Sequence, residues 1–294
     1  MDRLTLMTVF LAVAEEQSFA GAARRLKMSP PAVTRAIISL EEYLKVRLLT
    51  RTTRYVRVTE AGRRYLEDVR RIINLADEAD DAVTGISGQP KGHLAVTAPV
   101  LFGKLFVLPA VIDYLHRYPD MTVSAVFLDR IVNLLEEGLD IGVRIGQLAD
   151  SSMNAIKVGS IRPVVCASPQ YLSTQGIPLQ PANLAHHVII SASGVSPLVE
   201  WKFANAITIK VQPRLTVTNN DCAIDAALSG LGVTRLLSYQ IAAYLESGQL
   251  QTVLDDFAPE ALPVHVLHQE GRYVSAKVRT FVDLIVAKLR LEIP

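Results

Sequence analysis

Within the stretch Ser29-Pro30-Pro31-Ala32-Val33-Thr34-Arg35, two side chains carry chemistry suited to reading a base edge. An arginine can donate two hydrogen bonds to guanine O6 and N7, and a threonine methyl or hydroxyl can meet thymine or other base edges. Arg35 suits a phosphate contact or a solvated charge equally well, and the sequence leaves these readings open. The rings of Pro30 and Pro31 can touch a thymine methyl. Ser29 is first a helix cap, and its hydroxyl or nearby amides can also hold a phosphate. A second basic stretch follows, Leu49-Thr50-Arg51-Thr52-Thr53-Arg54-Tyr55-Val56-Arg57-Val58. Arg51 and Arg54 suit phosphate or the minor groove, while Thr52 and Thr53 suit a strand by their branched side chains.

These residues need elements to hold them. Ser18 and Ser29 each stand where a helix would begin, and Pro30 at a first helical position loses no useful N–H. Between Ser18-Phe19-Ala20-Gly21-Ala22-Ala23-Arg24-Arg25-Leu26-Lys27 and Ser29 only Met28 intervenes, so a sharp turn is expected there. Ala22 and Ala23 are small enough for the two helices to cross closely. The pair is a helix-turn-helix, whose second helix can enter a major groove. Leu4, Met7, Phe10, Leu11 and Ala14 predict a supporting helix over residues 4–16. Val33, Ile37, Leu40 and Leu44 predict a buried stripe on the second helix of the pair, with Thr34, Arg35 and Ser39 off it. Residues 49–58 predict a small basic hairpin, the wing of a winged helix.

Thr59 can cap a further helix, with Glu60 in its first turn. Tyr65, Val69, Ile72, Ala76, Ala79, Val83 and Ile86 form a heptad seam on a helix roughly 40 Å long. Such a helix can pack on its own domain, but its length and the acidic Asp77, Glu78, Asp80 and Asp81 favour pairing with a second copy. Gly85, Gly88, Gln89, Pro90 and Gly92 then predict a hinge. From residue 93 strands and helices alternate. Strands are expected over 93–98, 121–127, 139–145, 156–160, 164–167, 188–191, 207–211, 215–218 and 264–268. Helices are expected over 100–118, 129–137, 220–229, 238–247 and 275–291. The alternation implies a mostly parallel α/β sheet with ligands at strand C-terminal ends, and some 200 residues suffice for two lobes and a cleft.

Charge distribution agrees with a divided chain. The 294 residues carry a net charge of +1, yet residues 1–72 hold 14 Lys/Arg against 8 Asp/Glu, a net of +6, leaving about −5 elsewhere. That asymmetry is expected when one end meets phosphates. Cys166 and Cys222 are isolated, without metal-ligand spacing, and read as small buried residues. The apolar run over 105–115 is broken by Pro109 and Asp113, and the N-terminus lacks a signal-peptide core, so a cytoplasmic protein off the membrane is expected. His186-His187 has no nucleophile tied to it by motif, and Ser229-Gly230-Leu231-Gly232 misses the nucleotide-binding spacings and reads as a helix end. No constellation asks for catalysis or a cofactor. An enzyme on this fold and a ligand-binding or transport protein are the rival classes; the basic N-terminal module and the lack of an export signal argue against the second, and the lack of a catalytic constellation argues against the first.

The residues resemble a LysR-type transcriptional regulator over essentially the whole chain. The carrying segments are Phe10-Leu11-Ala12-Val13-Ala14-Glu15-Glu16-Gln17-Ser18-Phe19, Ala22-Ala23 with Leu26, and Ser29-Pro30-Pro31-Ala32-Val33-Thr34-Arg35. They continue through Leu40-Glu41, Arg47-Leu48-Leu49-Thr50-Arg51-Thr52-Thr53-Arg54 and Val58-Thr59-Glu60-Ala61-Gly62. Leu128-Asp129-Arg130, Leu135-Glu136-Glu137-Gly138-Leu139-Asp140-Ile141-Gly142-Val143-Arg144-Ile145-Gly146 and Val164-Val165-Cys166-Ala167-Ser168-Pro169-Gln170-Tyr171-Leu172 resemble the CrgA-like branch. Two departures stand out: Ala20 replaces a common hydroxyl residue, and Lys45 stands where glycine usually follows the third helix.

The resemblance implies an α/β protein with a winged helix-turn-helix over residues 1–59, a linker and dimerisation helix over 60–87 and a hinge over 88–92. An effector domain like a periplasmic binding protein follows over 93–294. Its lobe I is expected over 93–161 and 269–294, and lobe II over 162–268. Implied partners are partly palindromic double-stranded DNA, a small-molecule effector, RNA polymerase if the protein activates, and further copies as a homodimer or homotetramer. The family often sets a serine or threonine against a ligand carboxylate after the strand over 93–98. Here Ala98, Pro99, Val100, Leu101 and Phe102 offer no hydroxyl after Thr97, which favours an apolar or aromatic effector. Ala98, Pro99, Val100 and Phe102 are expected near that effector. Ser191, Ser193, Asn219 and Asn220 are polar candidates on the other lobe, and Arg144 can meet an anionic ligand or an internal partner.

Overall fold

The N-terminal core is organised by helices that begin on side-chain caps. A computed structural model gives the fold and describes residues 1–51, 56–84, 89–148, 153–192, 199–269 and 275–293. Helix α1 (Arg3–Glu16) starts on Asp2, whose carboxylate accepts from Thr5 N–H at 2.8 Å. Helix α2 (Phe19–Arg25) starts on Ser18 and α3 (Pro30–Leu44) on Ser29, as expected; each cap of this kind is worth about 1 kcal/mol. The turn between them is longer than expected. Helix α2 stops at Arg25, and Lys27 takes a left-handed backbone (φ 53°) that reverses the chain before Ser29. Lys45 also adopts the left-handed conformation (φ 54°) and ends α3 with its N–H bonded to the carbonyls of Glu41 and Glu42. The chain thus uses the glycine geometry without the glycine, at some steric cost.

Val33, Ile37 and Leu40 are fully buried and meet Phe10, Val13, Ala22 and Ala23 in one core. Each large side chain buried this way contributes about 1.5–3 kcal/mol. Strands β1 (Leu49–Arg51) and β2 (Val56–Val58) pair antiparallel, Leu49 opposite Val58 and Arg51 opposite Val56. Helix α4 (Glu60–Thr84) follows. Tyr65 and Val69, the first members of the expected seam, pack into the N-terminal core, Val69 with no exposed surface. The start of the seam is therefore satisfied within its own chain; Ile72 stays 39% exposed, and Ile86 lies outside the described residues.

The chain divides into two compact units, Met1–Gly88 with Arg272–Ala276, and Gln89–Gly271 with Lys277–Pro294. In the second, β3 (Gly92–Ala98) leads into α5 (Val100–Phe102), a π-turn (Gly103–Val107) and α6 (Leu108–Arg117). Gly103 is required there: a Cβ would lie 2.4 Å from the Phe127 ring. Next come β4 (Met121–Phe127), β5 (Ile141–Ile145), β6 (Met153–Ile161), β7 (Pro163–Ala167), α7 (Pro169–Gln175) and β8 (Ile189–Ser191). Then follow β9 (Val199–Lys202), β10 (Thr208–Val211), β11 (Pro213–Thr216), α8 (Asn220–Leu228), β12 (Val233–Leu237) and α9 (Ser238–Glu246). The last elements are β13 (Gln251–Val253), β14 (Leu262–Gln269) and α10 (Ala276–Glu292).

Two five-stranded sheets result, ordered β4-β3-β5-β14-β6 and β11-β8-β12-β7-β13. Each is mixed rather than mostly parallel. Strands β4, β3 and β5 run parallel, and β14 is antiparallel to β5 and β6. In the other sheet β11, β8 and β12 run parallel, while β7 is antiparallel to β12 and β13. The expected lobe boundary needs correction at β14. The expectation left residues 264–268 with the second lobe, but this strand sits between β5 and β6 in the first sheet. The chain thus passes between sheets twice, at Arg162 and between β13 and β14.

The expected helix over 129–137 is absent. Asn133 Oδ1 accepts from the N–H groups of Leu135 and Glu136, an Asx-type turn that competes with helix, and Gly138 (φ 65°) turns the chain onward. Val132, Leu134 and Leu139 from this segment pack over Ala95 and Leu267. Cys166 is buried, which pushes its thiol up to about 12 and keeps it protonated. Cys222, expected to be buried, is exposed. Among the described residues no helix is long and apolar enough to cross a membrane.

Candidate nucleic-acid interface and effector cleft

On α3 the buried stripe fixes which face remains outward. Pro30, Pro31 and Arg35 are exposed and Thr34 half-buried, so the expected reading residues share the helix's N-terminal outer surface. Ser29 Oγ accepts from Ala32 N–H at 3.4 Å, confirming its capping position. Among the described residues Arg35 has no carboxylate within ion-pair distance. Arg25 and Arg70, by contrast, both bind Glu15 (2.8 and 3.0 Å) and tie α1, α2 and α4 together. Their charges serve the fold.

The wing is attached to the same helix by Glu41, a residue outside the expected site. Its Oε1 accepts from the N–H groups of Leu48 and Leu49 at 2.8 and 3.0 Å, setting the root of β1 against α3. Thr59 completes the anchor: its hydroxyl accepts from Gly62 N–H and donates to the Arg47 carbonyl. The backbone of Arg51 lies in β1, while Thr52 and Arg54 lie outside the described residues. Arg57 in β2 is exposed and adds a cation to the wing that the expected site omitted.

In the second unit a cleft of about 480 Å³ opens where four chain segments leave their strands. Val100 follows β3, Leu128 and Asp129 follow β4, Ala192 follows β8, and Thr218 and Asn219 follow β11; all line it. Ligands bind α/β sheets at these carboxyl ends. Of the expected effector residues, Val100 and Asn219 line the cleft. Asn219 also caps α8, its Oδ1 accepting from Cys222 N–H at 3.0 Å, and Asn220 is that helix's first residue. Pro99 precedes Val100, whereas Ala98, Phe102 and Ser191 are buried. Ser193 lies outside the described residues. Arg144 is not among the lining residues; its guanidinium donates to the Val132 carbonyl, and burial pulls its pKa below the usual guanidinium value.

Sequence reasoning missed Leu128, Asp129, Arg130, Ala192 and Thr218 as lining residues. Asp129 matters most. Pro99 supplies no side-chain cap to the helix that begins at Val100, and Asp129 Oδ1 instead accepts the Val100 N–H at 3.0 Å. Arg130 is engaged by Glu137 through paired contacts of 2.7 and 2.6 Å. Phe102 stacks against Phe106 (4.8 Å) and meets Tyr239 of α9 edge-on at 5.4 Å, joining the two lobes through aromatic rings. Leu101 packs with Cys166, Ile190 and Ala223 of the second lobe. Burial pushes the Tyr239 phenol well above its usual range, and the Asp129 charge adds to that.

A winged helix-turn-helix in one unit and a two-lobed α/β domain with a cleft in the other define a DNA-binding regulator with a small-molecule domain. The chain belongs to the LysR family of bacterial transcriptional regulators. Residues 4–63 match the bacterial regulatory helix-turn-helix protein family of lysR type, and residues 87–290 match the LysR substrate binding domain. An uncharacterized HTH-type transcriptional regulator of Haemophilus influenzae is 32% identical over 281 residues, covering 95% of this chain and 98% of the relative. CrgA, an HTH-type transcriptional regulator of Neisseria meningitidis, is 30% identical over 286 residues, 96% of each chain. The solved structure of CrgA from Neisseria meningitidis aligns with a TM-score of 0.63 at 30% identity, covering 97% of this chain and 98% of that one. The expected kinship with CrgA is borne out, and these relatives and families are transcriptional regulators rather than enzymes.

Proposed function

We propose that this regulator reads a partly palindromic duplex through Thr34 and Arg35, with Pro30 and Pro31 against the groove and Ser29 near the backbone. Arg51, Thr52 and Arg54 of the wing engage the flanking phosphates or minor groove. The observation that carries the reading is the outward face of α3, where Arg35 stands exposed, without a carboxylate partner among the described residues, opposite a fully buried stripe. Two copies joined along α4, as a homodimer or homotetramer, supply the two half-sites; the exposed Ile72 supports that role. Residues 1–59 serve as the reader, 60–87 as the linker and 88–92 as the hinge. The cleft takes a small-molecule effector that changes the assembly in the bacterial cytoplasm, with RNA polymerase as a partner where the regulator activates.

A gel-shift titration of the full chain on the DNA upstream of its own gene tests this reading. The expected result is binding whose logarithmic affinity falls linearly with the logarithm of salt concentration, by about 0.9 per phosphate neutralised. Binding indifferent to salt, or none at all, would overturn it.

A further inference from the structure

We propose that the cleft selects effectors with a cationic or neutral hydrogen-donating head on an apolar or aromatic body, and discriminates against carboxylates. It rests on the reading of the cleft as the effector site and assigns that site a charge preference. The first N–H groups of a helix attract anions, and such a terminus opens on the cleft at Val100. Here the chain fills that position itself: the Asp129 carboxylate accepts the Val100 N–H at 3.0 Å. A ligand acid seeking the same donor must displace Asp129 or lie beside it.

The remaining charge at the cleft points the same way. Among the described residues its lining includes one cation, Arg130, whose guanidinium is bound by both oxygens of Glu137 at 2.7 and 2.6 Å. Bidentate pairing of this kind neutralises the charge and fixes its direction. Val100, Leu128, Ala192, Thr218 and Asn219 are neutral. Asp129 is thus the charge without an ion-pair partner among the described lining residues. A cation or N–H donor meets its exposed carboxylate favourably, whereas a second carboxylate meets like-charge repulsion. Val100, Leu128 and Ala192 provide an apolar wall for the body, and about 480 Å³ suits a small molecule.

Three matched probes test the proposal on the full-length chain: phenethylamine, phenethyl alcohol and 3-phenylpropanoate, titrated by ligand-observed NMR at fixed salt and pH. The wild-type chain is expected to bind the amine and the alcohol at least about tenfold more tightly than the acid. Asp129→Asn is expected to narrow the amine-to-acid ratio by about tenfold. Asp129→Ala, which also frees the Val100 N–H, is expected to raise acid binding above the wild-type level. Tighter binding of the acid by the wild-type chain, an unchanged ratio in both variants, or no saturation by any probe would overturn the proposal. A fourth arm separates the underlying reading. Thr218→Trp, at an exposed lining position, should abolish binding of every probe. Binding that survives it lies outside the cleft and contradicts the effector-site reading itself, whatever the charge preference.

Discussion

Replacing Arg35 with alanine is expected to weaken operator binding by about 1–3 kcal/mol, roughly fivefold to 150-fold, while leaving the fold intact. Arg35 is exposed on α3 and makes no hydrogen bond or ion pair among the described residues, so its removal deletes a contact without opening a cavity. The form of the loss identifies the contact. A base-reading arginine relaxes specificity at one position of each half-site, and binding isotherms on a panel of single-base operator variants will show that position becoming indifferent. A phosphate-binding arginine weakens all sequences alike and lowers the salt slope by about one. The first pattern is expected; the second would reassign Arg35 to the backbone, and no change in either would remove it from the interface.

Gly62→Ala is expected to be among the most damaging single changes in the N-terminal unit. A Cβ at this position would lie 2.1 Å from the Leu48 carbonyl oxygen and 2.7 Å from Val58 Cγ1. The obstacle is backbone, so no side-chain rotation relieves it. Helix α4 must move off the wing root, which strains the Thr59 cap at Gly62 and the Glu41 anchor at Leu48 and Leu49. Overpacking of this kind costs about 1–3 kcal/mol, and the lost anchors add to it. Hydrogen exchange should show protection falling across α1–α4 while β3–α10 keep wild-type protection, with DNA binding lost in parallel. Wild-type protection in α1–α4 would contradict the close approach.

The reading head was legible in the sequence because its signals are local. Ser18, Ser29 and Thr59 each cap the helix they precede, and the Val33-Ile37-Leu40 stripe fixes the orientation of Arg35 without reference to any distant residue. The paired strands of the wing follow from a short run of branched residues. The effector domain was legible as alternating strands and helices, but its pairings were not. Strand β14 joins β5 and β6 across more than a hundred residues, a contact no local pattern encodes. Asp129 was missed for a related reason. Its local context suggested the start of a helix, whereas its carboxylate caps a different helix 29 residues earlier in the chain. The failed helix over 129–137 had a local competitor, the Asn133 turn, which a reading weighted toward periodicity overlooks. The heptad seam shows the opposite failing: a regular repeat at Tyr65 and Val69 looked available to a second copy, yet those side chains fill the core of their own unit.

In the proposed function one chain couples a duplex-reading helix to a ligand cleft. Selection of random duplex DNA by the full-length chain, sequenced with and without a cleft-binding amine, tests it most directly. Two inverted half-sites spaced by about one helical turn or a multiple of it are expected to be enriched, with occupancy or spacing altered by the amine and unaltered in the Thr218→Trp variant. Failure to enrich any sequence over the starting pool, or enrichment of a motif the amine leaves unchanged at saturating occupancy of the cleft, would contradict it.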